Sequence, residues 1–162
     1  MYSNREKIVH IAQAGIIAAI YVVLTLMAAS FNLANGVIQV RISEALTVLP
    51  YFTPAAIPGL IIGCFISNII TGCVVLDIIF GTIATAVAAF GSYILRKNRY
   101  LCSIPPVISN MLIVPFVLKY AYGMTDAVWF MALTVGAGEI ISCVIIGQIL
   151  ITALTPLKKV LF

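Results

Sequence analysis

Long apolar runs joined by short polar links decide what this chain can become. The first reaches from Ile8 to about Ser30, and others cover about Ala55–Thr71, Leu76–Leu95, Leu101–Tyr122 and Ala127–Leu154. A bilayer crossing takes about 20 predominantly apolar residues. A soluble surface needs roughly 25% charged residues, and this chain has 9%, against 63% hydrophobic. The fold class that follows is an all-α integral membrane protein, and the short links leave no room for a soluble catalytic domain. Residues 1–162 are therefore read as a single transmembrane domain, a compact bundle of six helices.

The remaining crossing is irregular. The stretch from about Arg41 to Phe52 is only a dozen residues long, and Pro50, Pro54 and Pro58 punctuate the passage to the next run. Proline removes a backbone donor and restricts the residue before it, so the second helix is expected to be short or broken. Before it, FNLANGVIQV at 31–40 carries Asn-Gly, a strong turn signal, and reads as a loop.

Lysines and arginines collect on the cytoplasmic side of short loops. Arg5 and Lys7, then Arg96, Lys97 and Arg99, then Lys158 and Lys159 fall on one face after six crossings, against Arg41 and Lys119 on the other. Both termini are expected in the cytoplasm and loop 31–40 outside, in a multi-pass protein of the cell membrane. The net charge of +4 then reflects topology and needs no nucleic-acid partner.

Chemistry-bearing motifs are sparse. Cys64, Cys73, Cys102 and Cys143 have no CxxC spacing and read as packing residues, and a lone His10 leaves a catalytic triad or histidine metal site nothing to build on. No phosphate-binding GxxxxGK[ST] occurs, so energy from ATP has to come through another chain. No catalytic residue, metal or cofactor is expected.

What remains is a set of polar groups at membrane depth, where they are costly and usually functional. Counting about 1.5 Å per residue puts Arg41 and Glu44, Asp77, Asn68, Asn110 and Glu139 in the outer half of the bundle. The inner half offers only Tyr21, Thr82, Thr85, Gln148 and Thr152. This asymmetry describes a pocket open to the outside. Glu139 is the strongest candidate, because an acid halfway down an apolar helix needs a partner, a proton or a ligand, and Gly136 and Gly138 beside it permit close approach. Plainer roles exist for the others. Arg41 and Glu44 can pair with each other, Asp77 can cap a helix, and the asparagines can join helices.

Three ionised acids against one arginine make the pocket net −2, favouring a cationic or N–H-rich guest. A carboxylate can accept two parallel N–H bonds from a guanine-like edge while an asparagine or arginine donates to its carbonyl. Phe80, Trp129 and Tyr120 are placed to supply stacking walls. On the first run, Ala14 with Ala18 and Gly15 with Ala19 form overlapping small-xxx-small pairs, and Gly59 and Gly63 form GxxxG. Such pairs serve packing within the bundle or docking of an external helix.

The alanine pair and especially QVRISEALTVLPYFTPAAIPGLIIGCFISN at 39–68 resemble the queuosine-precursor family of substrate-binding S components of energy-coupling factor transporters. The resemblance implies a six-helix bundle that captures a micronutrient from outside. It also implies docking on a transmembrane coupling protein driven by two cytosolic ATPases, with no hydrolysis by the component itself. Carried onto this chain, Ala14 and Ala18 would dock, and Arg41, Ser43 and Glu44 are the matching motif residues. The implied cargo is a 7-deazaguanine, such as the aminomethyl form or queuine. The alternatives are a proton-coupled secondary transporter and an S component for a different vitamin.

Overall fold

A computed structural model of the chain describes residues 4–31 and 41–161. Apart from Phe31, the expected loop 31–40 lies outside the described residues. Those residues form helices and connections without strands. The α-helices are α1 (Asn4–Ser30), α2 (Ala56–Ile70), α3 (Val75–Ile94), α4 (Ile104–Tyr120), α5 (Val128–Glu139), α6 (Gly147–Leu154) and a terminal turn, α7 (Lys158–Leu161). Four helical stretches are long and apolar enough to cross a membrane: Asn4–Ser30, Val75–Ile94, Leu101–Tyr120 and Val128–Leu157.

The second expected helix is a 3-10 rod, Ile42–Tyr51. Its sequence disfavours α winding, since Pro50 lacks an N–H and Thr47 Oγ1 donates back to the Glu44 carbonyl at 2.6 Å. Ten residues at a 3-10 rise extend about 20 Å, short of the roughly 30 Å hydrocarbon core. The rod is nonetheless the centre of the molecule, with every residue from Ser43 to Pro50 buried. Its Leu46, Val48 and Leu49 join Ile17 and Tyr21 of α1, Leu60 and Cys64 of α2, Ala89 of α3 and Ile151 of α6 in the main core. Positions three apart eclipse in a 3-10 helix, so Glu44, Thr47 and Pro50 share one line along it.

Two further irregularities bear on function. The expected long helix 127–154 is interrupted by a π-helical segment, Ile140–Ile146, which begins immediately after Glu139. Such wide turns are rare and often mark functional sites. α2 ends in a Schellman turn, with Cys73 N bonded to the Asn68 carbonyl at 3.0 Å, Gly72 N to Ile69 at 3.1 Å, and Gly72 at φ +73°. That tight stop lets α3 begin at once and brings Asn68 beside Asp77.

The glycines of α2 set its distance from α1. A Cβ on Gly59 would lie 2.7 Å from the Ala14 carbonyl, and one on Gly63 would lie 2.8 Å from Tyr21 Cβ and 3.0 Å from the Ala18 carbonyl. Ala14 and Ala18 therefore take part in packing within the bundle, one of the two roles their spacing allowed. Gly15 has nothing within 4 Å of where its Cβ would be, and Ala19 is exposed.

Candidate functional site

The rod, the glycine seam and the π segment together gather polar side chains that the sequence scatters over five elements. Glu44, on the rod, is 1% exposed. Its Oε1 accepts from the Tyr21 hydroxyl of α1 at 2.5 Å and from Thr85 of α3 at 3.5 Å. Tyr21 reaches it because Gly63 presents no side chain at the point where Tyr21 crosses α2. Beside this pair, Thr25 of α1 donates to Ser43 at 2.9 Å.

Glu139, at the end of α5, is 2% exposed. Its Oε2 accepts from Cys143 Sγ at 3.1 Å, and the same thiol lies 3.3 Å from the Glu44 carbonyl and 3.5 Å from Thr47 Oγ1. The π segment thus ties Glu139 to the backbone of the rod. Asn110 of α4, 2% exposed, is a polar neighbour of both carboxylates. Its Nδ2 and Glu44 Oε2 have no partner within 3.5 Å in good geometry, and nor do the buried Ser142 Oγ and Gln148 Oε1. Buried polar atoms are nearly always paired, so an unsatisfied donor and an unsatisfied acceptor in one cluster are the outstanding chemical feature here.

A second group lies along α3. Asp77 is 6% exposed and accepts from the Tyr122 hydroxyl at 2.8 Å. Burial, and then the bond to Asp77, push the Tyr122 hydroxyl well above the ordinary tyrosine range, so it stays a donor. Gly81 makes room for this group, since a Cβ there would sit 3.2 Å from both Asn68 Nδ2 and Asp77 Oδ1. Asn68 Nδ2 is also 3.6 Å from Cys64 Sγ, and Thr85 is 3.3 Å from that sulfur. Tyr122, Asp77, Asn68, Cys64, Thr85, Glu44 and Tyr21 therefore form one run of polar neighbours. Arg41, half-buried at the head of the rod, stands in the combined field of Asp77, Glu44 and Glu139. No direct ion pair joins it to Glu44, whose backbone N–H instead bonds the Arg41 carbonyl at 2.9 Å.

Arg41, Ser43, Glu44, Asn68, Asp77, Asn110 and Glu139 thus come into one neighbourhood. Phe80 and Trp129 do not join it. Phe80 is 45% exposed and lines an apolar groove between α3 and α4 with Tyr120 and Phe116, while Trp129 is 67% exposed and meets Phe130 edge to face. Tyr21, Thr85, Cys64 and Cys143 join the cluster without having been singled out as site residues; a hydroxyl or thiol on an apolar helix gives no signal until its facing neighbour is known. Ala14, Gly15 and Ala18 line a surface groove with His10, Pro54 and Pro58, away from the carboxylates.

The cluster offers carboxylates, hydroxyls, thiols and amides that accept and donate hydrogen bonds. Among the described residues no group of three His, Cys, Asp or Glu side chains is placed to hold a metal ion. All four cysteines are free thiols.

The family model described as "QueT transporter" matches residues 11–156. A curated relative, "Queuosine precursor transporter QueT" of Lactococcus lactis subsp. cremoris (strain MG1363), is 37% identical over 65 residues. That alignment covers 40% of this chain and 38% of the relative. No solved structure matches the chain significantly.

Proposed function

The chain belongs to the QueT transporter family, and on that premise we propose that it captures a queuosine precursor as the S component of an ATP-driven energy-coupling factor transporter. The observation that carries the reading is the pair of buried carboxylates, Glu44 and Glu139, on separate elements around Asn110. Charged side chains at membrane depth face a bundle interior and mark substrate paths.

A 7-deazaguanine suits these atoms. Glu44 Oε1 is already engaged by Tyr21 and Thr85, so its free Oε2 takes a ring N–H, and Asn110 Nδ2 donates to the neighbouring carbonyl. An aminomethyl cation goes to Glu139 or Asp77. Both unsatisfied atoms are sealed by protein, so the elements around them part for the cargo to arrive. Arg41 balances part of the negative charge, and Ser43, Asn68 and Tyr122 hold the outer rim. Phe80 and Trp129, placed outward here, serve as stacking walls only if that opening turns them inward.

Six crossings with both termini in the cytoplasm agree with the positive charges at 5–7, 96–99 and 158–159. They also agree with the bond from Gln13 Nε2 to the Leu161 carbonyl at 2.8 Å, which sets α7 beside the N-terminal half of α1. The groove at Ala14, Gly15 and Ala18, with Ala19 exposed on the same helix, receives the transmembrane coupling protein, and two cytosolic ATPases supply the energy.

Mass spectrometry of the small molecule released from purified protein tests the cargo. A 7-deazaguanine is expected; a different vitamin would overturn it. Uptake by cells is expected to fail on ATP depletion and to survive collapse of the proton gradient, and the reverse dependence would favour a proton-coupled secondary transporter.

A further inference from the structure

The connection between α3 and α4, residues 95–103, lies at the opposite end of α3 from Asp77 and has no part in the cluster described above. Its sequence, LRKNRYLCS, carries three cations and no acid. We propose that it is a binding platform for the phosphate of anionic phospholipid headgroups.

The loop is anchored more firmly than a solvated link requires. Asn98 N bonds the Leu95 carbonyl at 3.1 Å, Cys102 N the Asn98 carbonyl at 3.1 Å, and Tyr100 N donates to Asn98 Oδ1 at 2.9 Å. From α6, Gln148 Nε2 donates to the Arg99 carbonyl at 2.5 Å and to Ser103 Oγ at 2.8 Å. From α3, Ser92 Oγ donates to the Cys102 carbonyl at 2.8 Å. Neighbouring elements thus hold the loop from both sides.

On this frame the two arginines are preoriented. The guanidinium carbon of Arg96 sits 4.1 Å from the centroid of the Tyr93 ring, and that of Arg99 sits 4.7 Å from the centroid of Tyr100. A cation over a ring is held without using up its N–H donors on an acceptor, and a guanidinium's planar fork suits bidentate binding of phosphate. Neither arginine is ion-paired to a carboxylate among the described residues. Lys97 adds a third exposed charge between them.

The surroundings identify the source of the phosphate. Ile94 is 74% exposed, Tyr100 63% and Leu101 42%, so apolar surface, an amphipathic ring and cations meet at the ends of two candidate spans. That combination is characteristic of the membrane interface, where anionic headgroups attract clustered Lys and Arg. Topology alone asks only for positive charge; stacked arginines on an anchored loop add directional donors at headgroup depth.

Native mass spectrometry of the full chain, released from micelles holding equal phosphatidylglycerol and phosphatidylcholine, tests the proposal. At least fivefold more phosphatidylglycerol adducts are expected. The double variant Arg96→Gln/Arg99→Gln, with its helical circular dichroism unchanged, is expected to remove that preference. Arg96→Lys/Arg99→Lys, which keeps the charge but loses the planar fork, is expected to restore less than half of it. Equal retention of the two lipids, or an undiminished preference in the glutamine variant, would overturn the site. Full restoration by lysine would overturn the stacked-arginine geometry. Displacement of the bound lipid by millimolar inorganic phosphate would overturn the lipid as source in favour of free phosphate.

Discussion

The seam between α1 and α2 and the cluster around Glu44 and Glu139 are both buried, share Tyr21, and are built on opposite principles. In the seam, glycines bring two backbones together, with hypothetical Cβ atoms on Gly59 and Gly63 falling 2.7–3.0 Å from atoms of Ala14, Ala18 and Tyr21. Shape alone holds it, as expected where lipid is as apolar as leucine and helices associate by close packing. In the cluster, shape is subordinate to hydrogen bonding, and the bonding is incomplete, with Glu44 Oε2 and Asn110 Nδ2 left without partners. The seam is thus held by fit between backbones, whereas the cluster is held by hydrogen bonds that leave a buried acceptor and a buried donor over.

The seam is the place where a substitution is expected to do most damage. Gly63→Leu drives a side chain into Ala18 and Tyr21, and a loss of roughly 3 kcal/mol is expected for overpacking of this kind. It would appear as a fall of roughly 10 °C in the thermal midpoint of the purified protein. Gly15→Leu, on the open face of α1, is expected to leave that midpoint and cargo binding unchanged while abolishing uptake in cells. A large fall in its midpoint would break the distinction between the two faces of α1.

In the cluster the expected effect moves from stability to affinity. Glu139→Gln removes a charge but little volume, and should weaken cargo binding more than tenfold, about 1.4 kcal/mol, with the thermal midpoint unchanged. Unchanged affinity would take Glu139 out of the site.

Tyr21 sharpens the comparison because it belongs to both regions. Tyr21→Phe keeps the ring against Gly63 but deletes the donor to Glu44. The lost bond is worth about 1 kcal/mol, roughly a fivefold loss read by titration of the cargo. A fall in the midpoint with affinity intact would assign Tyr21 to the seam alone. The smallest effect belongs to Tyr122→Phe at the rim, where a hydroxyl bond at a half-open site is worth about 0.5 kcal/mol, roughly a twofold loss in the same titration.

Sequence patterning made these two regions legible to different degrees. Small residues four apart in Ala14, Ala18, Gly59 and Gly63 announce close approach, though nothing in the spacing says that the two pairs meet each other. Glu44, Asn110 and Glu139 stand out because acids and amides are rare in apolar helices and depth follows from counting residues. Azimuth does not follow from counting. Counting singles out Phe80 and Trp129 as stacking walls, yet both are exposed away from the cluster. Counting places Tyr21 and Thr85 in the inner half, yet both reach Glu44, because the 3-10 rod carries that acid through the centre of the bundle. The π segment after Glu139 has no compositional signature in IISCVII, although the bond from Cys143 to Glu139 joins positions four apart, which a regular α-helix also brings together.

Glu44 is proposed to hold cargo with Oε2, the oxygen left without a partner in the protein. The direct test is calorimetric titration of 7-aminomethyl-7-deazaguanine into the purified wild-type chain and into Glu44→Gln, with folding of both checked by circular dichroism. Saturable one-site binding is expected in the wild type, weakened at least tenfold, about 1.4 kcal/mol, in the variant. Equal affinities in two equally folded proteins would contradict the central claim.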